Sequence, residues 1–458
     1  MARPRSVYAC TQCGAQQPRW LGRCPECGSW STLVEEARGR AEGARGEPLG
    51  GLSPSGESDK PRALREVDAD AAPRISTGLS ELDRVLGGGL VPGSVTLLAG
   101  EPGVGKSTLA LQLASAARTQ KPILYVTGEE SLEQVRLRAD RLPAFPSDLL
   151  VLTETRVEAL AAPWREIDPG VVVVDSVQTL HTDRVESAPG SVAQVRESAA
   201  LLAASAKSAG AALVLVGHVT KDGSIAGPRV LEHLVDAVLA FEGDRGHPFR
   251  LLRAAKNRFG STQEVGVFSM GEAGLEGVEN PSDLFLAERR GDAPGSSVVP
   301  LVEGTRPMLV EIQALVAPAG YGTARRTSLG IDDGRLALLL AVLDRRSDVD
   351  VIGRDVYVNV AGGVRVAEPA ADLGVVLALA SSRLDRPVPA DAAACGEVGL
   401  GGEVRRVSRL DLRLREAARL GFRRVLVPEA ASADAAGTGC DVVPVTSIAD
   451  AVRWLRSL

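Results

Sequence analysis

From about residue 74 onward, short β-branched runs alternate with helix-length stretches: SVTLLAG (94–100), PILYVT (122–127), VVVVD (171–175) and AALVLVGH (211–218). Val171–Val174 shows no polar alternation. A strand apolar on both sides needs cover on both faces, so the pattern predicts an α/β fold with a mostly parallel sheet between helices. Two further strands, near 236–242 and 249–254, close this block. A polar segment with Gly and Pro, 287–297 (AERRGDAPGSS), marks a boundary. Beyond it a second α/β unit is expected, with strands near 298–303, 308–316 and 356–360, a helix near 371–382 and a strand–helix–strand–helix finish. Residues 35–73 lack a sustained apolar period and are rich in Gly, Ala, Glu, Arg, Ser and Pro, which predicts a flexible linker. The expected domains are therefore 1–34, 35–73, 74–290 and 291–458.

Composition narrows this picture. With 45% apolar and 24% charged residues, the 458-residue chain can bury sizeable cores, and wholesale disorder is excluded. Aromatics are only 3%, so those cores must be built from Ala, Val and Leu. A net charge of -6 excludes a uniformly basic nucleic-acid coat but leaves room for a local basic channel. No apolar run reaches the ~18 residues of a membrane span, and no apolar core of a signal peptide precedes Cys10. A cytoplasmic protein without a membrane partner is expected.

Four of the six cysteines fall within the first 27 residues, as Cys10-x2-Cys13 and Cys24-x2-Cys27. Two such knuckles supply the four thiolates of a closed structural Zn2+ site. A single CxxC would equally suit a reactive dithiol; two this close, outside a βαβ unit, favour the metal. Through residue 33 the segment carries Arg3, Arg5, Arg19 and Arg23 against Glu26 alone, a net +3. Trp20 and Trp30 either stack on a base or a partner or cap a core too small to fold without metal; capping is expected for at least one of them.

Gly100-Glu101-Pro102-Gly103-Val104-Gly105-Lys106-Ser107, followed by Thr108, matches G-x-x-x-x-G-K-[ST] between a predicted strand and a helix-forming run, 106–118. The glycines let backbone N–H groups approach phosphate oxygens, and the helix N-terminus favours anions. Lys106 is expected at the β/γ-phosphates of ATP and Ser107 on Mg2+. Asp175, ending the apolar strand, is the second expected Mg2+ ligand. Glu129 and Glu130 follow the strand 122–127, where ligands of such sheets bind. Glu129 is expected as the general base, with Glu130 the alternative. Ser131 and Gln134 form a capping-box pattern. His218 ends a strand and can sense the γ-phosphate. Only six of the 52 basic residues are Lys, at positions 60, 106, 121, 207, 221 and 256. Three of these lie in segments singled out here, and an ammonium is not interchangeable with a guanidinium.

These features together carry a resemblance. The CxxC…CPxCG module, the GEPGVGKST loop, Lys256-Asn257-Arg258-Phe259-Gly260 and a C-terminal region similar to the Lon protease domain resemble the bacterial RadA (Sms) family of DNA repair ATPases. The resemblance implies a RecA-like motor core in a homo-hexameric ring with ATP between subunits. Lys256 and Arg258 would then reach a neighbour's γ-phosphate. Lys221 and Arg229, in the segment KDGSIAGPR, would face a channel holding single-stranded DNA. The implied activity is a DNA-dependent ATPase and helicase-type motor that processes branched recombination intermediates together with RecA. A non-motor mediator, whose ATP cycle only sets assembly, is the alternative.

In the Lon-like region, Ala370 stands where the Ser nucleophile should be and Asp411 where the Lys base should be, and residues 298–458 contain no Lys. Neither side chain can perform that chemistry, so no peptidase activity is expected, and the region is read as an assembly and DNA-binding platform. Ser408-x-x-Asp411 is expected as a helix-capping pair. Cys395 and Cys440 are expected to be small buried apolar residues.

Overall fold

In the computed structural model the described residues are 6–10, 16–26, 28–37, 73–142, 149–218, 231–243, 249–320 and 324–458. They divide into two compact units, Met1–Val278 and Glu279–Leu458.

At the start of the first unit, β1 (Ser6–Cys10), β2 (Gln16–Gln17) and β3 (Leu33–Ala37) form an antiparallel sheet in the order β2-β1-β3. Residues 35–37, expected in the linker, are instead the end of β3, where Glu35, Glu36 and Ala37 pair with β1.

The large sheet contains β4 (Val95–Gly100), β5 (Ile123–Thr127), β6 (Leu150–Thr153), β7 (Val171–Asp175), β8 (Ala212–His218), β9 (Ala237–Glu242), β10 (Phe249–Asn257), β11 (Val265–Gly271) and β12 (Gly274–Gly277). Its order is β12-β11-β10-β9-β4-β8-β7-β5-β6. The strands from β9 to β6 are mutually parallel, and β10, β11 and β12 add antiparallel at one side. Every residue of β7 is buried. Val171 and Val173 join the core on one face with Leu98, Leu109 and Val214, while Val172 and Val174 join the other with Leu97, Leu202 and Leu215. The period of two thus feeds two separate cores, which is why these strands are apolar throughout.

The second unit holds β13 (Ser296–Glu303), β14 (Arg306–Pro318), β15 (Arg326–Leu329), β16 (Arg354–Val360), β17 (Ala392–Ala394), a small β18 (Glu397–Val398) and β19 (Val404–Arg405) ribbon, β20 (Arg424–Pro428) and β21 (Asp441–Val445). The main sheet runs β15-β16-β14-β13-β17-β20-β21. The helix Asp372–Leu384 is buried along nearly its whole length. This unit begins at Glu279, earlier than the boundary expected near 290. The reason is local: Ser282 Oγ accepts the Leu309 N–H at 3.0 Å, and Phe285 packs over Gly362, where a Cβ would meet its ring at 2.5 Å.

The Ser408–Asp411 capping pair does not form. The helix there is Leu410–Arg419, preceded by Arg409 in the left-handed region at φ 54°, with no side-chain cap. The Ser408 carbonyl instead accepts from Arg413 Nε at 2.9 Å.

Candidate active site

The loop after β4 turns sharply into the helix Lys106–Ala116. Gly103 and Gly105 have φ of 82° and 110°, which a side chain would oppose. A Cβ on Gly100 would lie 2.4 Å from the Phe241 carbonyl oxygen. Lys106 Nζ donates to the carbonyls of Gly100 at 2.8 Å and Glu101 at 2.9 Å. Burial lowers its pKa to about 8, against the opposing pull of Asp175, Glu129 and Glu101. Arg250, buried on β10, holds the loop from behind through Nε to the Val104 carbonyl at 3.1 Å. Glu101, Pro102 and Gly103 are exposed, Val104 is buried, and Ser107 and Thr108 are half-buried in the first helical turn.

Strand register brings the remaining groups to the same edge. Gly100 is level with His218, and Thr127 with Asp175. Ser107 Oγ donates to Asp175 Oδ1 at 3.2 Å, and Tyr125 Oη donates to Asp175 Oδ2 at 2.7 Å. Burial, reinforced by the Asp175 charge, holds the Tyr125 phenol well above its usual pKa, so it stays a donor. The two expected carboxylates differ. Glu130 pairs with Arg138 at 2.5 Å, and Arg138 also lies 3.9 Å from Asp175. Glu129 makes no such pair with an arginine or lysine among the described residues. Its Oε1 accepts from Ser176 Oγ at 2.6 Å, and His218 Nε2 lies 3.8 Å away. Ser131 and Gln134 make the expected capping box. The backbone cradle, the Lys106 ammonium and the Ser107–Asp175 oxygen pair fit a nucleoside triphosphate with Mg2+.

Lys256–Gly260 sits elsewhere. Asn257 is level with Ala237, and Ala237 with Thr96, at the start of β4. The loop leaves β4 after Gly100, about 13 Å further along by strand rise. Lys256 Nζ donates to the carbonyls of Glu232 at 2.5 Å and Val235 at 2.7 Å. Arg258 pairs with Asp236 at 3.1 Å, Asn257 Nδ2 donates to the Val85 and Leu86 carbonyls, and Phe259 is partly exposed. A Cβ on Gly260 would crowd Asn257 at 2.9 Å. Among the described residues, no hydrogen bond or ion pair joins Lys256 or Arg258 to the phosphate loop. Lys221 and Arg229 lie outside the described residues.

In the cysteine module, Cys10 and Cys24 are both buried in a core of three residues with Leu33, flanked by Tyr8 and Leu21. The Cys24 carbonyl accepts from Gly28 N–H at 2.9 Å, and Gly28 takes φ 73°, the tight knuckle that presents thiolates. Soft sulfur donors on so small a core fit Zn2+. Cys13 and Cys27 lie outside the described residues. Trp20 and Trp30 are exposed, so neither caps the core as expected.

In the second unit, Ala370 is buried and Asp411 is exposed, 4.0 Å from Arg415. Two positions away from each, the buried Arg413 pairs with the half-buried Glu368. Arg413 donates from Nη1 to Glu368 at 3.0 Å and to the Pro300 carbonyl at 2.8 Å, and a second Arg413–Glu368 contact closes the fork. The Cys395 thiol beside it is pushed up to about 12 by burial, so it is inert. Cys440, half-buried, donates to the Leu414 carbonyl at 3.2 Å.

Sequence reasoning missed Tyr125, Arg138, Ser176 and Arg250. Tyr125 carried a usable signal, as a polar-tipped residue inside the apolar run Ile123–Val126.

Three family profiles match. The AAA domain covers residues 60–224, a rubredoxin metal binding domain covers 8–35, and the Lon protease (S16) C-terminal proteolytic domain covers 346–443. Relatives named DNA repair protein RadA align over nearly the full length. That of Bacillus subtilis is 49% identical, covering 99% of both chains, and that of Pseudomonas aeruginosa is 50% identical, covering 99% of this chain and 100% of its own. A solved KaiC-like protein from Pyrococcus horikoshii is 19% identical over 45% of this chain and 99% of its own, with a TM-score of 0.38. No helix among the described residues is long and apolar enough to cross a membrane.

Proposed function

The chain belongs to the RadA family of DNA repair proteins, and from that premise we propose an ATP-driven motor on single-stranded DNA that processes branched recombination intermediates together with RecA. It carries an AAA ATPase domain and a zinc ribbon, so it is an ATP-binding, zinc-binding repair protein. The finer reading assigns roles. Lys106 and the loop N–H groups hold the β/γ-phosphates, Ser107 and Asp175 hold Mg2+, and Glu129 draws the proton from the attacking water. Ser176 and His218 orient Glu129. Glu130, engaged by Arg138, is left to shape the site.

The observation that carries the motor reading is the separation of Lys256 and Arg258 from the phosphate loop of their own chain. Cations held at the start of β4 serve a γ-phosphate best when it belongs to a neighbouring protomer, and a site completed in trans couples hydrolysis to subunit movement. A closed ring of such protomers, a hexamer, leaves a channel for the strand, where Lys221 and Arg229 would meet phosphates. The second unit then acts as a platform without peptidase chemistry, since a methyl at 370 has no nucleophile.

Mixing Lys106→Ala protein, inactive as a site, with Arg258→Ala protein, inactive as a donor, should restore a fraction of the DNA-stimulated ATPase. If the mixture recovers no activity, or a lone Arg258→Ala protein turns over at the wild-type rate, the shared site is wrong. Strand displacement on forked DNA separates a motor from a static mediator, which binds without unwinding.

A further inference from the structure

Cations that serve a neighbouring protomer must stand on a fixed mount, and Lys256–Gly260 has one. The helix Ser80–Leu86 ends against this segment: Asn257 Nδ2 donates to the Val85 and Leu86 carbonyls, both at 3.3 Å, and a Cβ on Gly260 would lie 3.3 Å from the Leu86 oxygen. In the turn that follows the helix, a Cβ on Gly87 would lie 3.4 Å from Gly260 Cα, and one on Gly89 would lie 2.4 Å from the Ile75 oxygen. Three stretches of backbone meet there with no side chain between them.

Arg74 ties the junction together. The residues after it are pinned. Ile75 and Leu90 exchange N–H···O bonds of 2.8 Å in both directions, and the Asp83 carboxylate accepts from Ser76 Oγ at 2.7 Å, Thr77 N–H at 2.8 Å and Thr77 Oγ1 at 2.7 Å. From that anchor the Arg74 guanidinium donates to carbonyls on three segments: Leu86 at the helix end at 3.1 Å, Gly89 in the turn at 3.3 Å and Phe259 at 2.5 Å. The last carbonyls of a helix have no partner within it, and a cation is favoured at that end. Arg74 is exposed, and among the described residues it makes no ion pair. Its fork therefore fixes geometry rather than neutralising a charge, a task an ammonium performs less well. Phe259 follows Arg258 directly, so the bond at its carbonyl fixes the backbone on which Arg258 stands.

We propose that Arg74 is a positioning residue for Lys256 and Arg258. By holding the Phe259 carbonyl against the end of the helix Ser80–Leu86, it sets where those cations meet the γ-phosphate of a neighbouring protomer. The inference rests on the shared site of the proposed function. Arg74 then governs a neighbour's turnover and not that of its own phosphate loop, which lies at the other end of β4 from this segment.

The test uses the full-length, zinc-loaded chain with ATP, Mg2+ and oligothymidylate. Arg74→Ala should lower the DNA-stimulated kcat about ten- to a hundredfold, the loss that a small displacement of a reacting group brings, while affinity for a fluorescent ATP analogue stays within about twofold. Mixed assemblies then show which site the residue serves. Arg74→Ala mixed with Lys106→Ala, which keeps an intact 256–260 segment, should turn over faster than the sum of the two proteins alone. Mixed with Arg258→Ala it should gain nothing, since neither protein then presents a sound segment. Arg74→Lys keeps the charge and loses the fork. It should show a smaller loss with the same pairing pattern, and it takes the place of Arg74→Ala if that variant does not fold.

Arg74→Ala turnover at the wild-type rate overturns the inference. So does the reverse pattern, recovery with Arg258→Ala and not with Lys106→Ala, which puts Arg74 at its own chain's site. Recovery with neither partner marks a role in folding or assembly alone and overturns it too. The control mixture of Lys106→Ala with Arg258→Ala separates the two levels: if it fails to recover, the shared site is refuted and this inference falls with it, whereas if it recovers, the other outcomes judge Arg74 alone.

Discussion

Two regions of this molecule each bury a cation, Lys106 in the first unit and Arg413 in the second, and they handle it in opposite ways. In the second unit, Arg413 is completely enclosed, and Glu368 together with the Pro300 and Ser408 carbonyls satisfies it. Nothing is left for a ligand to complete. In the first unit, the Lys106 ammonium leans on two loop carbonyls, and Asp175 is hydrogen-bonded by two hydroxyls, with Arg138 3.9 Å away and shared with Glu130. The hydrogen-bonding partners are neutral, and on the proposed reading phosphate oxygens and Mg2+ outcompete them. A site that must bind and release a charged substrate keeps its charges underpaired, whereas a scaffold closes them.

The comparison can be broken most decisively at Lys106. Lys106→Ala should reduce ATP turnover about 10³-fold or more, with a cooperative urea transition showing that the chain still folds. Glu129→Gln comes next, lowering kcat by about 10²- to 10⁴-fold while nucleotide affinity persists; Glu130→Gln should cost far less. If the two glutamates exchanged these outcomes in steady-state assays, the Arg138 pairing would have been misread as occupation.

On the closed side, Arg413→Ala should cost about 3–5 kcal/mol of stability, because it strands the Glu368 charge. Denaturant titration measures this. The paired replacement Glu368→Leu with Arg413→Met should recover most of it, and turnover per folded molecule should be unaffected. A loss of turnover without a loss of stability would place this pair in the mechanism and erase the contrast.

Ser176→Ala removes one hydrogen bond to the Glu129 carboxylate. It should lower kcat about ten- to a hundredfold, leave KM for ATP near wild type, and be rescued by Thr.

The smallest effect concerns pH. Burial holds the Lys106 ammonium at about 8 rather than its usual 10.5. Only the protonated form attracts phosphate, so nucleotide affinity should fall as pH rises through about 8. Binding near that pH should take up a proton, visible by calorimetry in buffers of different ionisation enthalpy. Stability of the nucleotide-free protein runs the other way. Between the folded and unfolded pKa values the unfolded chain binds more protons, so this residue's penalty is present below about pH 8 and is relieved as pH rises towards 10.5.

Much of the site is legible in the order of residues itself. Gly100–Ser107 announces itself because backbone conformation and phosphate charge together demand those residue types at that spacing, and Val171–Asp175 because a doubly covered strand must be apolar until its end. The capping box at Ser131 and Gln134 is legible for the same local reason. The failures are also local in origin. Ser408 and Asp411 have the spacing of a cap, but Arg413 takes the Ser408 carbonyl and the helix begins at Leu410. Trp20 and Trp30 are the right size to cover a core, yet Cys10, Cys24 and Leu33 close it without them.

The chain's linear pattern is enough to establish the phosphate loop, the alternation of strands and helices, and the thiolate knuckles, since each depends on contacts a few positions apart. Folding alone gave Glu130 to Arg138 and Glu129 to Ser176, set Tyr125 on Asp175, and put Lys256 and Arg258 at the far edge from the loop. Those outcomes depend on which strands become neighbours and in what register, and pairings between distant segments leave no mark in local spacing.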